Sequence, residues 1–332
     1  MDRRQFLSVM AGGAGLLAAS RAAGAIPAAK PSAPRGTTLA GVRNEWTLSH
    51  PLVKQKLRMM VMSDAHLTLD DARGEPWKEF SARMSTPYRT MKHWRNGRQL
   101  VSPAGFDEVL AKAVQAKVDF LALTGDIVSF PSEAGVDYVV GKLKASGLNW
   151  MYVSGNHDWH YEGQPGTLKE QRDIWTKKRL SPLYQGANPL FSMRQVKGVR
   201  MVFIDDSTWE ILPEQLGFLR AQLASGDPVA LFMHIPLHVK GYPLDRAPVG
   251  HPDWGWNADR NWQIERRLRW PKEGHTQTTY AFRDAVFAAS NVVGVFTGHI
   301  HEPMCAVENG VPQLVTELTA AAGCLDVKFK SL

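Results

Sequence analysis

Six short apolar segments recur along this chain of 332 residues and constrain its fold more than any other feature. Each has the length of one buried β-strand and is rich in β-branched or large apolar side chains. Segments with a helical pattern lie between them; one opens at Pro213 and places Leu216, Leu219 and Leu223 on one face. This alternation predicts an α/β fold. The predicted strands span residues 57–62, 118–124, 148–153, 199–204, 229–233 and 292–297.

Side chains that can bind metals follow five of these six segments. In open α/β sheets, ligands bind just beyond the carboxyl ends of the strands, so we expect these side chains to converge. Each group alone is weakly specific, because Asp-x-His and Gly-Asp are also common in solvated turns. Their order, each after a predicted strand, makes the set specific. The groups are Ser63-Asp64-Ala65-His66, Gly125-Asp126, Gly155-Asn156-His157-Asp158, His234-Ile235-Pro236 and Gly298-His299-Ile300-His301.

The candidate ligands offer oxygen and imidazole nitrogen atoms, which suit Mn, Fe, Zn, Co or Ni ions. The chain has two cysteines, Cys305 and Cys324, and their spacing is not that of a zinc motif. They are either two thiols or, outside the cytoplasm, one disulfide. The formal net charge of +7 favours anionic substrates. It is too diffuse to indicate a stable nucleic-acid partner.

The ordered groups resemble the calcineurin-like metallophosphoesterases over roughly residues 57 to 303. The resemblance implies a four-layer α/β/β/α sandwich, in which two mixed sheets face each other and helices flank them. It also implies two metal ions and a small phosphate ester as substrate. The first ion would be bound by Asp64, His66, Asp126 and His301, and the second by Asp126, Asn156, His234 and His299.

The resemblance further implies hydrolysis by a metal-activated hydroxide. In that reaction His157 would act as the general acid, and Asp158 would orient it. Phosphodiesters of the nucleotide or glycerophosphodiester type are slightly favoured, since Asp158 stands where the protein-phosphatase branch has Glu. Ser129 stands where purple acid phosphatases have a tyrosine ligand, which disfavours that branch. The alternatives are a phosphomonoesterase with the same site and a non-catalytic metal- or phosphate-binding protein with the same fold.

Two long segments, residues 67–101 and 240–278, interrupt the alternation and are rich in Arg and Trp. Long connections inside a compact domain are usually functional lids or insertions. Arginine can bind phosphate and aromatic rings can stack on bases or sugars, although the same tryptophans could simply pack the insertions against the body. The candidate substrate-binding residues are His93, Arg95, Trp159, Tyr161, Trp254 and Trp256.

Residues 1–25 resemble a twin-arginine signal peptide, with the pair Arg3-Arg4 and an A-x-A cleavage pattern at 23–25. The apolar stretch between them is too short to span a bilayer. We therefore expect export by the twin-arginine machinery, cleavage, and a periplasmic or secreted mature protein without a transmembrane span. Residues 26–56 are expected to form a linker or N-terminal arm, and residues 57–332 the metallophosphoesterase domain.

Overall fold

Two six-stranded sheets and one two-stranded sheet are found in residues 36–332, which the computed structural model describes. The predicted signal peptide lies outside these described residues. The strands are β1 (Thr38–Val42), β2 (Glu45–Ser49), β3 (Leu57–Met62), β4 (Thr90–Lys92), β5 (Gln99–Val101), β6 (Phe120–Thr124), β7 (Trp150–Val153), β8 (Phe191–Val196), β9 (Val199–Ile204), β10 (Val229–Phe232), β11 (Val292–Thr297), β12 (Met304–Glu308), β13 (Val311–Val315) and β14 (Leu325–Lys330).

Parallel strands occupy the middle of both large sheets. The first sheet has the order β1-β2-β14-β3-β6-β7, in which β3, β6 and β7 are parallel. The second has the order β12-β13-β11-β10-β9-β8, in which β13, β11, β10 and β9 are parallel. Within each sheet the carboxyl ends of these strands therefore meet at one edge. Residues 38–49, which the sequence assigns to a linker or N-terminal arm, form β1 and β2 of the first sheet.

The apolar segments are uninterrupted because both faces of each sheet are covered. Successive side chains of a strand point to opposite faces. In β3, Met59 and Val61 enter the core between the two sheets, whereas Met60 and Met62 enter the core beneath the helices. The same alternation in the other sheet produces a second outer core. The predicted four-layer sandwich is thus confirmed.

Helices cover the outer faces of the two sheets. They are α1 (Lys78–Ser85), α2 (Ala104–Gln115), α3 (Glu133–Ser146), α4 (Leu168–Trp175), α5 (Ser181–Tyr184), α6 (Pro213–Ala224) and α7 (Gln277–Ala288). Helices α2 and α3 pack on the first sheet, and α6 and α7 on the second. Helix α6 begins at Pro213, as predicted. None of the described helices is long and apolar enough to cross a membrane.

All six predicted strands are present, and β3, β9 and β11 have the predicted bounds. The first long segment, residues 67–101, contains a 3-10 helix (Ala72–Trp77), α1 and the two-stranded sheet of β4 and β5. The second, residues 240–278, contains the short 3-10 helix Leu244–Arg246 and is otherwise irregular up to the start of α7. We call these segments the first and second insertions.

Candidate metal centre

The seven predicted ligands converge at the carboxyl ends of the parallel strands of both sheets. The loops after β3, β6 and β7 bring four of them, and the loops after β10 and β11 bring three. A centre of this kind cannot form on either sheet alone. The residues are Asp64, His66, Asp126 and Asn156 from the first sheet, and His234, His299 and His301 from the second.

One cluster in this centre consists of Asp64, His66 and His301, whose candidate ligand atoms all lie within 4.8 Å of one another. The Nε2 atoms of His66 and His301 are 3.1 Å apart. His301 Nε2 is also 3.3 Å from Asp64 Oδ1. Three ligand atoms that face one point in this way fit the first predicted metal site.

A second cluster consists of Asp126, His234 and His299. His234 Nε2 is 3.2 Å from Asp126 Oδ2, and the same oxygen is 3.8 Å from His66 Nε2 of the first cluster. Asp126 therefore stands between the two clusters, where a bridging ligand is expected. Asn156 Oδ1 lies 3.1 Å from His299 Nδ1, which places the amide beside the second cluster.

The buried polar atoms of this centre fit a pair of bound cations. Among the described residues, neither Asp64 nor Asp126 forms a salt bridge with Lys or Arg, and both carboxylates are buried. His234 Nδ1 lies 2.8 Å from the Thr124 carbonyl oxygen, so Nε2, which faces Asp126 Oδ2 at 3.2 Å, is the ring nitrogen directed at the centre. A bond from Nδ1–H to a carbonyl leaves Nε2 free to bind a metal. Buried carboxylates without a permanent cation are costly unless a metal neutralises them.

The carboxylates and imidazoles of the centre shift one another's pKa values. Burial would raise the pKa of Asp64, but the hydrogen bond to His301 and the positive charge of that ring lower it to about 2. Burial would lower the pKa of His234, but the facing carboxylate of Asp126 raises it to about 10. Burial and repulsion by His234 lower the pKa of His299 to about 3. The carboxylates thus favour positive charge at this place, and a bound metal would supply it while the imidazoles stay neutral.

Five of the ligands have backbone conformations that residues other than glycine rarely adopt. Their φ angles lie between 44° and 72°, and such conformations cost about 1–3 kcal/mol each. Hydrogen bonds between loops hold them, since Asp64 N–H donates to the Gly125 carbonyl at 3.0 Å and His66 N–H donates to the Asp126 carbonyl at 2.9 Å. The five residues are Asp64, His66, Asp126, His299 and His301.

Glycines in the motifs permit a close approach of the loops. A Cβ atom on Gly298 would lie 1.8 Å from Ser63 Oγ and 2.3 Å from Asp64 Oδ2. A Cβ atom on Gly155 would lie 2.2 Å from Asp126 Oδ1. Any larger residue at these two positions would displace a ligand carboxylate.

The position of Asp158 differs from the one that the sequence suggests. Its carboxylate accepts hydrogen bonds from the backbone N–H groups of Asp126 (2.9 Å), Val128 (2.9 Å) and Gly155 (2.8 Å). In the described part of the chain it forms none with His157. A fully buried carboxylate needs several donors, and those available are backbone groups. Asp158 therefore positions the loops after β6 and β7 instead of orienting His157.

Asp206 has in the second sheet the place that Asp158 has in the first, since its buried carboxylate bonds to the backbone of a ligand-bearing loop. It was not predicted from the sequence. Its Oδ1 accepts hydrogen bonds from the backbone N–H groups of His234 (3.0 Å) and Ile235 (3.2 Å). Burial raises the pKa of Asp206 to about 7. Its position in the sequence could have indicated this role. Asp206 follows the predicted strand 199–204, the one predicted strand without an assigned site residue.

A cleft of about 240 Å³ opens over the centre. Four of the seven ligands line it together with His157, and residues of both insertions also line it. The four ligands are Asp126, Asn156, His299 and His301. The insertion residues are Tyr88, Asp245, Arg246, Ala247, Asn261 and Glu265. None of the six was predicted from the sequence, because their approach to the centre depends on how the insertions fold back over it.

The predicted substrate-binding residues Trp159, Tyr161 and Trp254 do not line this cleft. Trp159 is fully buried and donates a hydrogen bond to Ser207 Oγ at 2.8 Å. Tyr161 is also buried, and its hydroxyl donates to the carbonyl of Pro131. Trp254 packs in the apolar core beside the second sheet. These large rings are used for packing, which is the alternative that the sequence left open.

The other three candidates, His93, Arg95 and Trp256, also lie outside the cleft lining. His93 is buried, and its Nε2 is 3.0 Å from an oxygen of Glu108. Arg95 is exposed and lies over the ring of Trp94. Trp256 is half-exposed on the second insertion. The insertions thus approach the centre through residues other than their most conspicuous Arg and Trp side chains.

The sequence profile of the family described as calcineurin-like phosphoesterase matches residues 57–303. This range contains all seven clustered ligands and both insertions. The chain belongs to this family. The family's dinuclear, metal-dependent hydrolysis of phosphate esters agrees with the two ligand clusters. No curated protein sequence matches this calcineurin-like phosphoesterase.

Several solved structures are similar to this calcineurin-like phosphoesterase at low sequence identity. A dimetal phosphatase from Danio rerio is 13% identical, with a TM-score of 0.49 over 80% of this chain and 88% of that chain. A purple acid phosphatase from yellow lupin is 14% identical, with a TM-score of 0.47 over 85% and 47% of the two chains. A 5'-nucleotidase from Candida albicans is 10% identical, with a TM-score of 0.43 over 82% and 47%.

Proposed function

We propose that this phosphoesterase hydrolyses phosphodiesters in preference to phosphomonoesters. The observation that carries this proposal is the charge of the cleft wall. Of the described side chains that line the cleft, Arg246 alone is permanently cationic, and it is paired with Glu302 at 3.1 Å. Asp245 and Glu265 place two carboxylates on the same wall.

This wall disfavours a second negative charge on the substrate. A phosphomonoester carries about −1.5 to −2 charges at pH 7, because its second pKa is about 6. A phosphodiester carries one. Repulsion by Asp245 and Glu265 therefore acts more strongly on the monoester. Glu265 is partly neutralised by an ion pair with Arg267, so the exposed Asp245 is the cleaner test of this repulsion.

Transition-metal ions such as Mn, Fe, Zn, Co or Ni, when bound by the two clusters, supply Lewis-acid activation of water and of the phosphoryl group. The residues of the chain orient and enclose the reacting groups. Asp126 lies between the clusters, and Arg246 stands at the cleft wall, where a guanidinium can donate to phosphoryl oxygens.

His157 is the residue that we assign to proton transfer. It lines the cleft and is only half-buried, in a loop whose other members are buried. Its Nδ1 is buried without a hydrogen-bond partner. Nε2 is therefore the nitrogen from which a proton can pass to a leaving oxygen in the cleft.

The charge argument is tested with two substrates that share a leaving group. The kcat/KM values for bis(4-nitrophenyl) phosphate and 4-nitrophenyl phosphate are measured with added Mn²⁺. We expect a ratio well above 1 in favour of the diester. Asp245→Asn should lower that ratio by roughly two- to fivefold. The matched control Asp284→Asn, an exposed carboxylate on α7, should leave it unchanged.

A preference for the monoester in the parent protein would overturn the proposal. An unchanged ratio in Asp245→Asn would overturn the electrostatic reason given for it. Absence of activity on both esters, with two metals bound, would favour the alternative of a non-catalytic binding protein.

We also infer that the protein is exported to the periplasm or beyond. This inference rests on the pair Arg3-Arg4, the short apolar stretch and the A-x-A pattern alone. The test is Arg3→Lys with Arg4→Lys, which should leave the precursor in the cytoplasm. Normal export of this variant would remove the twin-arginine route.

A further inference from the structure

The second insertion presents an exposed surface that the chemistry in the cleft does not use. Three apolar and three cationic side chains are exposed there, within 17 residues of sequence. The apolar ones are 47%, 62% and 61% exposed, in chain order. We define the lid surface as Trp256, Ile264, Leu268, Arg260, Arg266 and Lys272.

The second insertion has a core of its own, so the lack of a core does not explain why the apolar side chains of the lid surface are exposed. Trp254 and Trp270 of the same segment are buried in contact with each other. The guanidinium of Arg267 forms two hydrogen bonds of 2.8 Å to the carboxylate of Asp259, and both residues are buried. The apolar and the charged groups inside the insertion thus have partners within it. Three large apolar side chains nevertheless remain exposed within 13 residues of sequence, and we take them as the apolar part of a binding surface.

The cations of the lid surface are unpaired. None of Arg260, Arg266 and Lys272 forms a salt bridge with a described residue, and Arg267 pairs with both Asp259 and Glu265. The exposed carboxylates of Asp253 and Glu273 line one hollow together with Trp256 and Lys272, so they offset the charge of Lys272. The lid surface therefore has an excess of positive charge, which Arg260 and Arg266 carry outside that hollow. A surface of this kind complements one that is anionic outside and apolar beneath.

The lid surface borders the mouth of the cleft and is attached to the body. Glu265 lines the cleft, between two residues of the lid surface in sequence. The backbone carbonyl of Ile264 accepts a hydrogen bond of 2.7 Å from Arg83, and Gly163 N–H donates to the carbonyl of Arg266 at 3.1 Å. The lid surface therefore adjoins the cleft at Glu265.

We propose that the lid surface docks on an anionic lipid bilayer. The aliphatic Ile264 and Leu268 and the indole of Trp256 enter the boundary between head groups and acyl chains, and the cations pair with lipid phosphates. A nucleic acid would satisfy the cations and could stack on Trp256, but it offers no apolar partner to the two aliphatic side chains. This docking is separate from the proposed diester preference and does not depend on it.

Vesicle sedimentation with the full chain tests the docking. The vesicles contain phosphatidylcholine alone or phosphatidylcholine with 30% phosphatidylglycerol, at low and high salt. We expect binding to the anionic vesicles that weakens with salt. Ile264→Ser with Leu268→Ser should lower the partition coefficient at least tenfold. Arg260→Ala or Arg266→Ala should each lower it roughly fivefold.

The matched control is Met193→Ser with Val307→Ser, which removes two exposed apolar side chains outside the second insertion. It should leave binding unchanged, and any contribution of residues 1–35 is common to all variants. Thermal unfolding of each variant checks that the fold is intact. Equal binding by the Ile264/Leu268 variant and the parent would overturn the proposal, as would an equal loss in the control. Binding of a single-stranded oligonucleotide without binding to anionic vesicles would also overturn it.

Discussion

The ring of Tyr88 lies flat against the imidazole of His66, with ring centroids 3.7 Å apart and an angle of 2° between the planes. His66 Nδ1 is buried and has no hydrogen-bond partner, in contrast to His234 Nδ1, which lies 2.8 Å from a carbonyl oxygen. Metal-binding histidines are usually oriented by such a second bond. At His66, the stacked ring of Tyr88 from the first insertion orients the imidazole instead.

Tyr88→Leu should therefore weaken metal binding at the first cluster. Aromatic pairs contribute about 0.5–1.5 kcal/mol beyond their buried area, so we expect a loss in Mn²⁺ affinity of roughly three- to tenfold. Tyr88→Phe keeps the ring and should bind within about twofold of the parent. Phe80→Leu, a ring of the same insertion that packs on Tyr161, is the control. Calorimetric titration with Mn²⁺ measures these affinities; equal binding by the Leu and Phe variants at position 88 would exclude the stacking role.

Asp126→Asn should impair both metals at once, since Oδ2 of Asp126 faces both clusters. His301→Ala should mainly remove the first metal and His234→Ala mainly the second. Elemental analysis should find about two metals per chain in the parent, about one in each histidine variant and fewer than one in Asp126→Asn. Two bound metals and full activity in Asp126→Asn would show that the bridge is wrongly assigned.

His157→Ala should cost most with poor leaving groups. General acid catalysis supplies about 10²–10⁴-fold, and a nitrophenolate leaves with little help from a proton. We expect a large loss on an alkyl phosphodiester, a much smaller loss on a nitrophenyl ester, and unchanged metal content. The rates are compared at equal metal occupancy. Loss of one metal would instead identify His157 as a ligand, as its position near His66 and Asp126 permits.

Asp158→Asn should destabilise the fold. The amide retains one acceptor oxygen, so at least one of the three backbone N–H donors loses its partner in the interior. The loss of buried hydrogen bonds to a charged group, together with the backbone donors left without partners, should lower the free energy of unfolding by about 2–5 kcal/mol. Asp284→Asn, in an exposed pair with Arg283, should cost about 0–1 kcal/mol. Urea unfolding of both variants, without added metal, gives the comparison, and similar losses would contradict the role of Asp158.

Gly298→Ala should distort the first metal cluster. The new methyl group would overlap Ser63 Oγ and Asp64 Oδ2, and both belong to the buried loop after β3. We expect a loss of about 2 kcal/mol or more in stability together with weaker metal binding. Gly217→Ala has open space and lies inside α6, so it should be neutral or stabilise by up to about 1 kcal/mol. Unaltered metal binding in Gly298→Ala would show that the loop can move aside.

The sequence by itself determined the strands, the fold class and the chemistry of the ligands. Buried parallel strands are apolar on both faces, so β3, β9 and β11 could be delimited from local composition alone. Polar side chains directly after such strands must lie at the carboxyl edge of a sheet. That rule brings Asp64, Asp126 and Asn156 to one edge of the first sheet, and His234, His299 and His301 to one edge of the second. The contact between Asp64 and His301 depends in addition on how the two sheets pack against each other.

Only the tertiary structure decided which groups surround those ligands. Asp158 bonds to backbone groups of two loops, Asp206 supports the loop after β10, and Tyr88 reaches His66 from an insertion. The conspicuous tryptophans Trp159 and Trp254 pack inside instead of meeting substrate. Local sequence records burial and backbone preference, because these act over a few residues. The partner of a buried carboxylate or ring depends on how distant loops pack together, and no local pattern contains that information.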